Sequence, residues 1–356
     1  MTMIQHRYRL TFLTPAFLGN AEQTGQWRTP PIKALLRQWW RVVYASEQGH
    51  SVNVAAMRAT EASLFGAASD GASQSNRSRL RLRLGSWDKG RMTNWSGVDS
   101  QRIVHPEVGG KDGRPVPIGA QLYLGYGPLT INGGQTSLKI GAAIQAGDSA
   151  ELSLAFPDDE EATRLKRALW LMHQYGTLGG RSRNGWGSFI LQPAEPTTPA
   201  FEAALDEELT MPLGSALSQD WPQAIGTNAQ GPLIWQTEAV PDWKAAMLRL
   251  AKIKIEFRRQ FVFTTGQNAP RPEDRHWLSY PVTNHSVREW GGNTRLPNSL
   301  RFKVRPDTDG QLRGLVFHMP CLPPPAFKPD RRVVESIWQR VHAHLDASAG
   351  IERIAA

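Results

Sequence analysis

The sequence predicts an α+β protein built from two related split βαβ units in tandem. Three observations predict it. Strand and helix periods follow the order β, α, β, β, α, β over the first half, and β, α, β, β, α recurs over the second. Between them lies a stretch rich in Pro, Ala, Thr and Gly that opens Pro-Ala-Glu-Pro-Thr-Thr-Pro-Ala. The expected boundaries are 1–192 for the first domain, 193–230 for a linker and 231–356 for a degenerate second domain with no evident final strand. The chain has 356 residues, 40% hydrophobic and 21% charged, enough for two units that each bury a core.

Each element has its own signal. His6–Leu13 alternates Tyr8, Leu10 and Phe12 against Arg7, Arg9 and Thr11, the period of a half-buried strand. Thr29-Pro30-Pro31 reads as a helix start, with Thr29 as N-cap, leading into Ile32–Ala45. Ala55–Leu64 is a shorter helix. Arg79–Leu84 alternates strictly and reads as a strand, as do Gln121–Gly125 and Glu151–Phe156, with loops inserted between Gly85 and Gly119. Asp158–Tyr175 is a long helix with acids in its first turn, and Gly187–Leu191 is the strand after it. In the second half Leu233–Ala239 is a strand. Asp242–Gln260 is a helix with Trp243, Met247, Leu250 and Phe257 on one face. Leu300–Val304 with Leu312–Phe317 forms a hairpin, and Arg331–Leu345 closes as a helix.

Composition bounds the function. The 41 basic against 32 acidic residues leave a net charge of +9, which favours a polyanionic partner because each neutralised phosphate releases counterions. The charges are segregated. Acids gather at Asp158–Glu161 and Glu202–Glu208, arginines at Arg28–Arg41, Arg77–Arg83, Arg181–Arg183 and Arg249–Arg301. The single cysteine, Cys321, excludes a disulfide framework within the chain and a cysteine-rich zinc site, and no cofactor is expected. No stretch has the roughly 18 apolar residues of a membrane span, and Met1–Leu10 lacks a signal-peptide core, so a cytoplasmic protein is expected.

Three constellations carry chemistry. On the first helix Lys33, Arg37 and Arg41 recur every four residues, apart from the apolar face of Ile32, Leu35, Leu36, Trp39 and Val43. Trp40 and Tyr44 lie beside these cations, and cations with rings suit single-stranded RNA, although a solvated face with partly buried aromatics reads the same way. On the strand, Arg79, Arg81 and Arg83 share one side about 7 Å apart, which suits a phosphate backbone or a charge-protected sheet edge. The strongest signal is Gly176–Gly187, which contains Gly179, Gly180, Arg181, Ser182, Arg183, Asn184, Gly185 and Trp186. Glycines permit positive φ and leave backbone N–H groups uncovered for an anion. A helix precedes this loop and a strand follows, the reverse of a dinucleotide loop. The helix dipole therefore opposes an anion there, and Arg181 and Arg183 are expected to supply the positive charge.

This loop resembles the glycine-rich loop of the repeat-associated mysterious protein (RAMP) superfamily of CRISPR proteins, which consist of ferredoxin-like (RRM-like) domains that bind RNA. Three further segments, Leu13–Gly19, Arg28–Arg41 and Leu64-Phe65-Gly66, are together similar to the subunit-one family of the type III-B CRISPR (Cmr) effector complex. His276–Val282 and Arg295–Val304 fit that family too, and Ala34 departs from its usual glycine. The resemblance implies an antiviral-defence subunit at the end of the effector filament farthest from the 5′ tag of the guide RNA. There it would contact the 3′ part of the guide (crRNA) and the target RNA, beside other Cmr subunits. It implies that nuclease activities reside elsewhere. Where the family's target-cleaving subunit carries a catalytic Asp, Thr14–Pro31 has only Glu22, so a non-catalytic chain is expected. The expected RNA contacts are Arg28, Lys33, Arg37, Trp40, Arg41, Arg79, Arg81, Arg83 and 179–186. The rival reading is a metal-independent RAMP endoribonuclease that processes guide RNA, with His105 or His173 as general acid or base.

Overall fold

The computed structural model describes residues 2–68, 75–95, 98, 101–109, 114–139, 141–201, 205–291 and 293–354. The acidic segment expected at Glu202–Glu208 lies partly outside them, at 202–204. Over the first half the elements are β1 (Met3–Phe12), α1 (Thr29–Glu47), α2 (Val54–Phe65), β2 (Arg81–Leu84), β3 (Arg102–Gly109), β4 (Pro115–Gly119), α3 (Ala120–Gly125), β5 (Leu129–Asn132), β6 (Gln135–Leu138), β7 (Ser149–Pro157), α4 (Glu160–Tyr175) and β8 (Phe189–Pro193). The rest comprises β9 (Thr210–Pro212), α5 (Leu213–Ala216), β10 (Ile225–Asn228), β11 (Gly231–Pro232), β12 (Ile234–Thr237), α6 (Trp243–Arg259), β13 (Leu300–Pro306), β14 (Leu312–His318), α7 (Arg331–Ala347) and β15 (Ile351–Arg353).

The first sheet is antiparallel in the order β2-β7-β1-β8. Its central strand buries the alternate residues Tyr8, Leu10 and Phe12 against α1 and α4, as a period of two demands. The second sheet is antiparallel in the order β13-β14-β12-β15, so the same connectivity occurs twice. Its faces diverge in company. Phe302, Val304 and Val316 pack with α6 and α7, whereas Leu315 and Phe317 join the core of the first sheet.

Four expectations are corrected. Gln121–Gly125 is helical, because a short apolar run buried on all sides carries no period that separates helix from strand. The second unit does have a final strand, β15, whose three residues are too few to alternate visibly. The described residues of 193–230 are folded where a linker was expected. They contribute a 3-10 turn at Glu207–Leu209, β9, α5 and β10, and bury Leu209, Met211, Leu213 and Ile225. Finally, Thr29 is the first helical residue and Arg28 the N-cap, with no side-chain bond at that cap. Acids cap α4 and α6: Asp159 accepts from the Glu161 N–H and Asp242 from the Ala245 N–H.

Candidate nucleic-acid interface

The glycine-rich loop runs from the end of α4 into β8, against Pro15–Leu18. Gly179 takes φ +92°, and a Cβ there would lie 2.7 Å from the Phe17 carbonyl oxygen, so no other residue fits without displacing backbone. The loop amides serve the fold. Gly180 N–H donates to Phe17 O, Asn184 N–H to Arg181 O, Gly185 N–H to Ser182 O and Gly187 N–H to Pro15 O. The expected backbone cradle for an anion is therefore engaged internally at these positions, and side chains must do the holding.

The C-terminal carbonyls of α4 are satisfied by a residue that the sequence reading did not single out. Lys303, on β13 and fully buried, donates through Nζ to His173 O (2.5 Å) and Gly176 O (2.9 Å). The negative end of the helix is thus answered from the second sheet, leaving Arg181 and Arg183 exposed and turned outward. Burial, then the Arg305 guanidinium, pushes the Lys303 ammonium well below the usual lysine range.

Around the loop two clefts meet. A cavity of about 620 Å³ is lined by Arg181–Asn184 together with Lys254, Tyr280, Arg295 and Asn298. A second, of about 390 Å³, is lined by Arg41, Arg58, Arg183, Arg301 and Trp221, so Arg183 borders both. Lys254 Nζ donates to Asn184 Oδ1 at 2.8 Å and lies 5.6 Å from the centre of the Tyr123 ring. Burial, followed by Arg258 and Arg181, lowers its pKa to about 7. Burial and the Arg183 guanidinium lower Arg301 to about 9, which leaves it charged at neutral pH. Among the described residues, no carboxylate pairs with Arg58, Arg181, Arg183 or Arg301. The two cavities, which share Arg183, therefore carry four guanidiniums that form no ion pair among the described residues, with Asp220 also in the lining of the smaller one.

The structure brings some expected residues to this cleft and not others. Arg41, Ser182, Arg181, Arg183 and Asn184 line it, although Arg41 is also held in a two-pronged ion pair with Glu61. Arg37 lies over the Phe65 ring and 3.7 Å from Glu61, Lys33 donates to Ser78 Oγ, and Arg28 donates to Gly19 O. Trp40 and Trp186 are corrected outright: both are fully buried and offer no face to a base. Trp40 donates to Glu161 Oε2 because α2 and α4 cover the side of α1 that one helical period left open. Trp186 packs among Phe17, Trp95 and Trp243, anchoring the loop. Arg79 is paired with Asp159. Arg81 and Arg83 are exposed on β2, an edge strand separated from β8 by two others, roughly 14 Å across the sheet. They belong to a sheet edge, not to the cleft.

Arg58 and Lys254 were not singled out from the sequence, and Arg295 and Arg301, though placed in a basic cluster and a family segment, were not among the expected contacts. For Arg301 a signal existed, since Arg301, Lys303 and Arg305 alternate along β13 as Arg79, Arg81 and Arg83 do. Of the histidines weighed as catalysts, His105 is 7% exposed with its ring against Tyr123, and His173 accepts the Leu191 N–H through Nδ1. Burial, then Lys303 and Arg305, lowers the His173 pKa to about 3.

Among the described residues no group of three or more His, Cys, Asp or Glu is placed to hold a metal, and no helix is long and apolar enough to cross a membrane. No curated protein matches the sequence. Among solved structures, Cmr1 from Pyrococcus furiosus in its apo form is 12% identical over 96% of this chain and 97% of that one, with a TM-score of 0.44. A type III-B Cmr-beta complex bound to cognate target RNA matches at 12% identity over 96% of this chain and all of that one, with a TM-score of 0.47. A type IV-B CRISPR complex matches at 11% over 57% of this chain, with a TM-score of 0.32. The sequence model of the RAMP superfamily matches residues 9–190, a span that runs from β1 through α1 and α4 to the glycine-rich loop. That span is more than half of the chain, and the protein belongs to the RAMP superfamily.

Proposed function

We propose that the protein is a non-catalytic RNA-binding subunit of a type III-B CRISPR (Cmr) effector complex, contacting the 3′ part of the guide RNA and the target RNA. The observation that carries the RNA reading is the cleft around the glycine-rich loop, where Arg58, Arg181, Arg183 and Arg301 stand without carboxylate partners. Unpaired guanidiniums in a groove are held there at an electrostatic cost that phosphates remove. The subunit-one motifs, Leu13–Gly19 and Arg28–Arg41 among them, support the assignment within the superfamily. In this reading 1–192 and 231–356 are two ferredoxin-like domains, each with one of the repeated sheets, and the cleft lies where they meet.

The non-catalytic part is supported by the state of the acid and base candidates that the sequence offered. Glu22, between β1 and α1, is exposed and accepts from Asn20, and the His173 ring is held neutral far below its working range. The test is incubation of the full chain with labelled single-stranded and repeat RNAs in the absence of metal, followed by gel shift and denaturing gel. We expect retention that weakens steeply with salt, and intact RNA. Cleavage would favour the endoribonuclease reading, and no retention at low salt would end the RNA reading altogether.

A further inference from the structure

The smaller cavity, of about 390 Å³, adjoins the groove beside the glycine-rich loop at Arg183 and combines cationic with apolar lining. Arg58, Arg183 and Arg301 line it together with the apolar side chains of Val54, Met57 and Trp221, and Arg58 shares one face of α2 with Val54 and Met57. Its volume falls near the lower end of the range, about 300–1,000 Å³, that suits a small-molecule-sized ligand, and is too small for a duplex. Arg183 and Arg301 both line it, the Arg183 guanidinium lies near enough to disfavour the charged state of Arg301 after burial has done so, and among the described residues the buried Arg301 Nε has no hydrogen-bond partner. Asp220 also lines the cavity, and among the described residues it forms no ion pair with these arginines.

Guanidiniums beside apolar side chains and an indole are a combination that a nucleotide satisfies: phosphate on the cations, base on the indole. We infer that this cavity is a subsite for a single nucleotide of an RNA strand, its phosphate held between Arg183 and Arg301 and its base turned in against Trp221. The inference rests on the RNA-binding reading and adds to it that the strand leaves the open groove at Arg183 and inserts one residue. Base insertion would make this the point where binding depends on the presence of a base, whereas the groove holds phosphates alone.

Cys321, the single cysteine of the chain, makes the test direct, because it is half-buried beside Arg183 and Arg301. Alkylation of Cys321 in the full-length protein, followed by mass spectrometry, should slow at least tenfold when single-stranded RNA is added. A free nucleoside monophosphate should give no such protection at the same concentration; equal protection would overturn the assignment to a strand. In equilibrium titrations Trp221→Ala should weaken binding by at least about fivefold with the salt slope unchanged. Trp221→Phe should restore it, and an abasic oligonucleotide should bind wild type and Trp221→Ala alike. Arg301→Gln should lower the salt slope by about 0.7, one phosphate contact of a single strand. If RNA binds and responds to loss of Arg181 but leaves Cys321 unprotected and ignores Trp221→Ala and Arg301→Gln, the subsite is wrong and the RNA reading stands. If wild type binds no RNA, both fail together.

Discussion

Arg181 and Trp186 stand five residues apart in one loop and have opposite duties. Arg181 is exposed at φ +56°, a left-handed conformation that a non-glycine residue adopts only where the surrounding bonds enforce it. Trp186 is fully buried and fixes those bonds from below. The two therefore fail differently when removed. Arg181→Ala with Arg183→Ala should leave the melting curve unchanged and flatten the dependence of log K on log salt by roughly 1.4, about 0.7 per lost phosphate contact. Trp186→Ala should cost about 3–5 kcal/mol of stability and lose RNA only as the protein unfolds. A double arginine variant with wild-type affinity and slope would reduce the loop to a turn. The glycines and arginines of this site were legible from sequence because turn chemistry is local. The burial of Trp40 and Trp186 was not, because it depends on which elements arrive on the far side of α1 and beneath the loop.

Between elements, the junction of β13 and β14 with α4 and α7 is built from titratable groups held neutral. His318 and His342 are buried and bonded ring to ring at 2.9 Å, and His318 also meets Ser299 Oγ at 2.8 Å. Burial, then His342 and Arg301, pushes His318 well below its usual value. Burial, then Arg353, lowers His342 to about 3, as burial, Lys303 and Arg305 do for His173. In each case the folded pKa lies below the unfolded value of about 6.5, so the unfolded chain binds more protons below that pH. The stability is complete above pH 6.5 and declines as pH falls towards the folded values. Between pH 7 and pH 5 we expect a loss on the order of 2 kcal/mol per histidine, read as a falling denaturant midpoint. His318→Asn with His342→Asn should remove most of that slope; an unchanged slope would locate the acid sensitivity elsewhere. Strand periodicity revealed the β13–β14 hairpin but not which of its faces meets α4, since that choice is made by partners more than a hundred residues away.

At the scale of the molecule, the two repeated sheets do not own separate cores. Leu315, Phe317 and Met319 sit in the cluster built on β1 and β7, while Phe17 and Trp186 sit in the cluster built on α6 and α7. The Phe302 N–H donates to the Arg183 carbonyl, tying β13 to the glycine-rich loop. Residues 1–192 expressed alone should therefore lack a cooperative melting transition and bind RNA poorly, and co-expression with 193–356 should restore both. A cooperative, RNA-binding 1–192 fragment would show that the halves are independent. The sequence made the duplicated order of elements visible, because it repeats local periods. It concealed the shared cores and the structure within 193–230, whose strands of three and four residues are too short to show a period.

The division of the cleft between Arg183 and Arg301 also sets an order in time. Synthesis proceeds at about 5–20 residues per second, so Arg301 follows Arg183 from the ribosome by roughly 6–24 s. During that interval the nascent chain carries an arginine loop on a helix whose carbonyl end is still uncapped, because Lys303 has not been made. On the proposed reading the full set of cleft cations, Arg301 included, exists only once β13 has been made, so the complete site cannot assemble on the nascent chain before then.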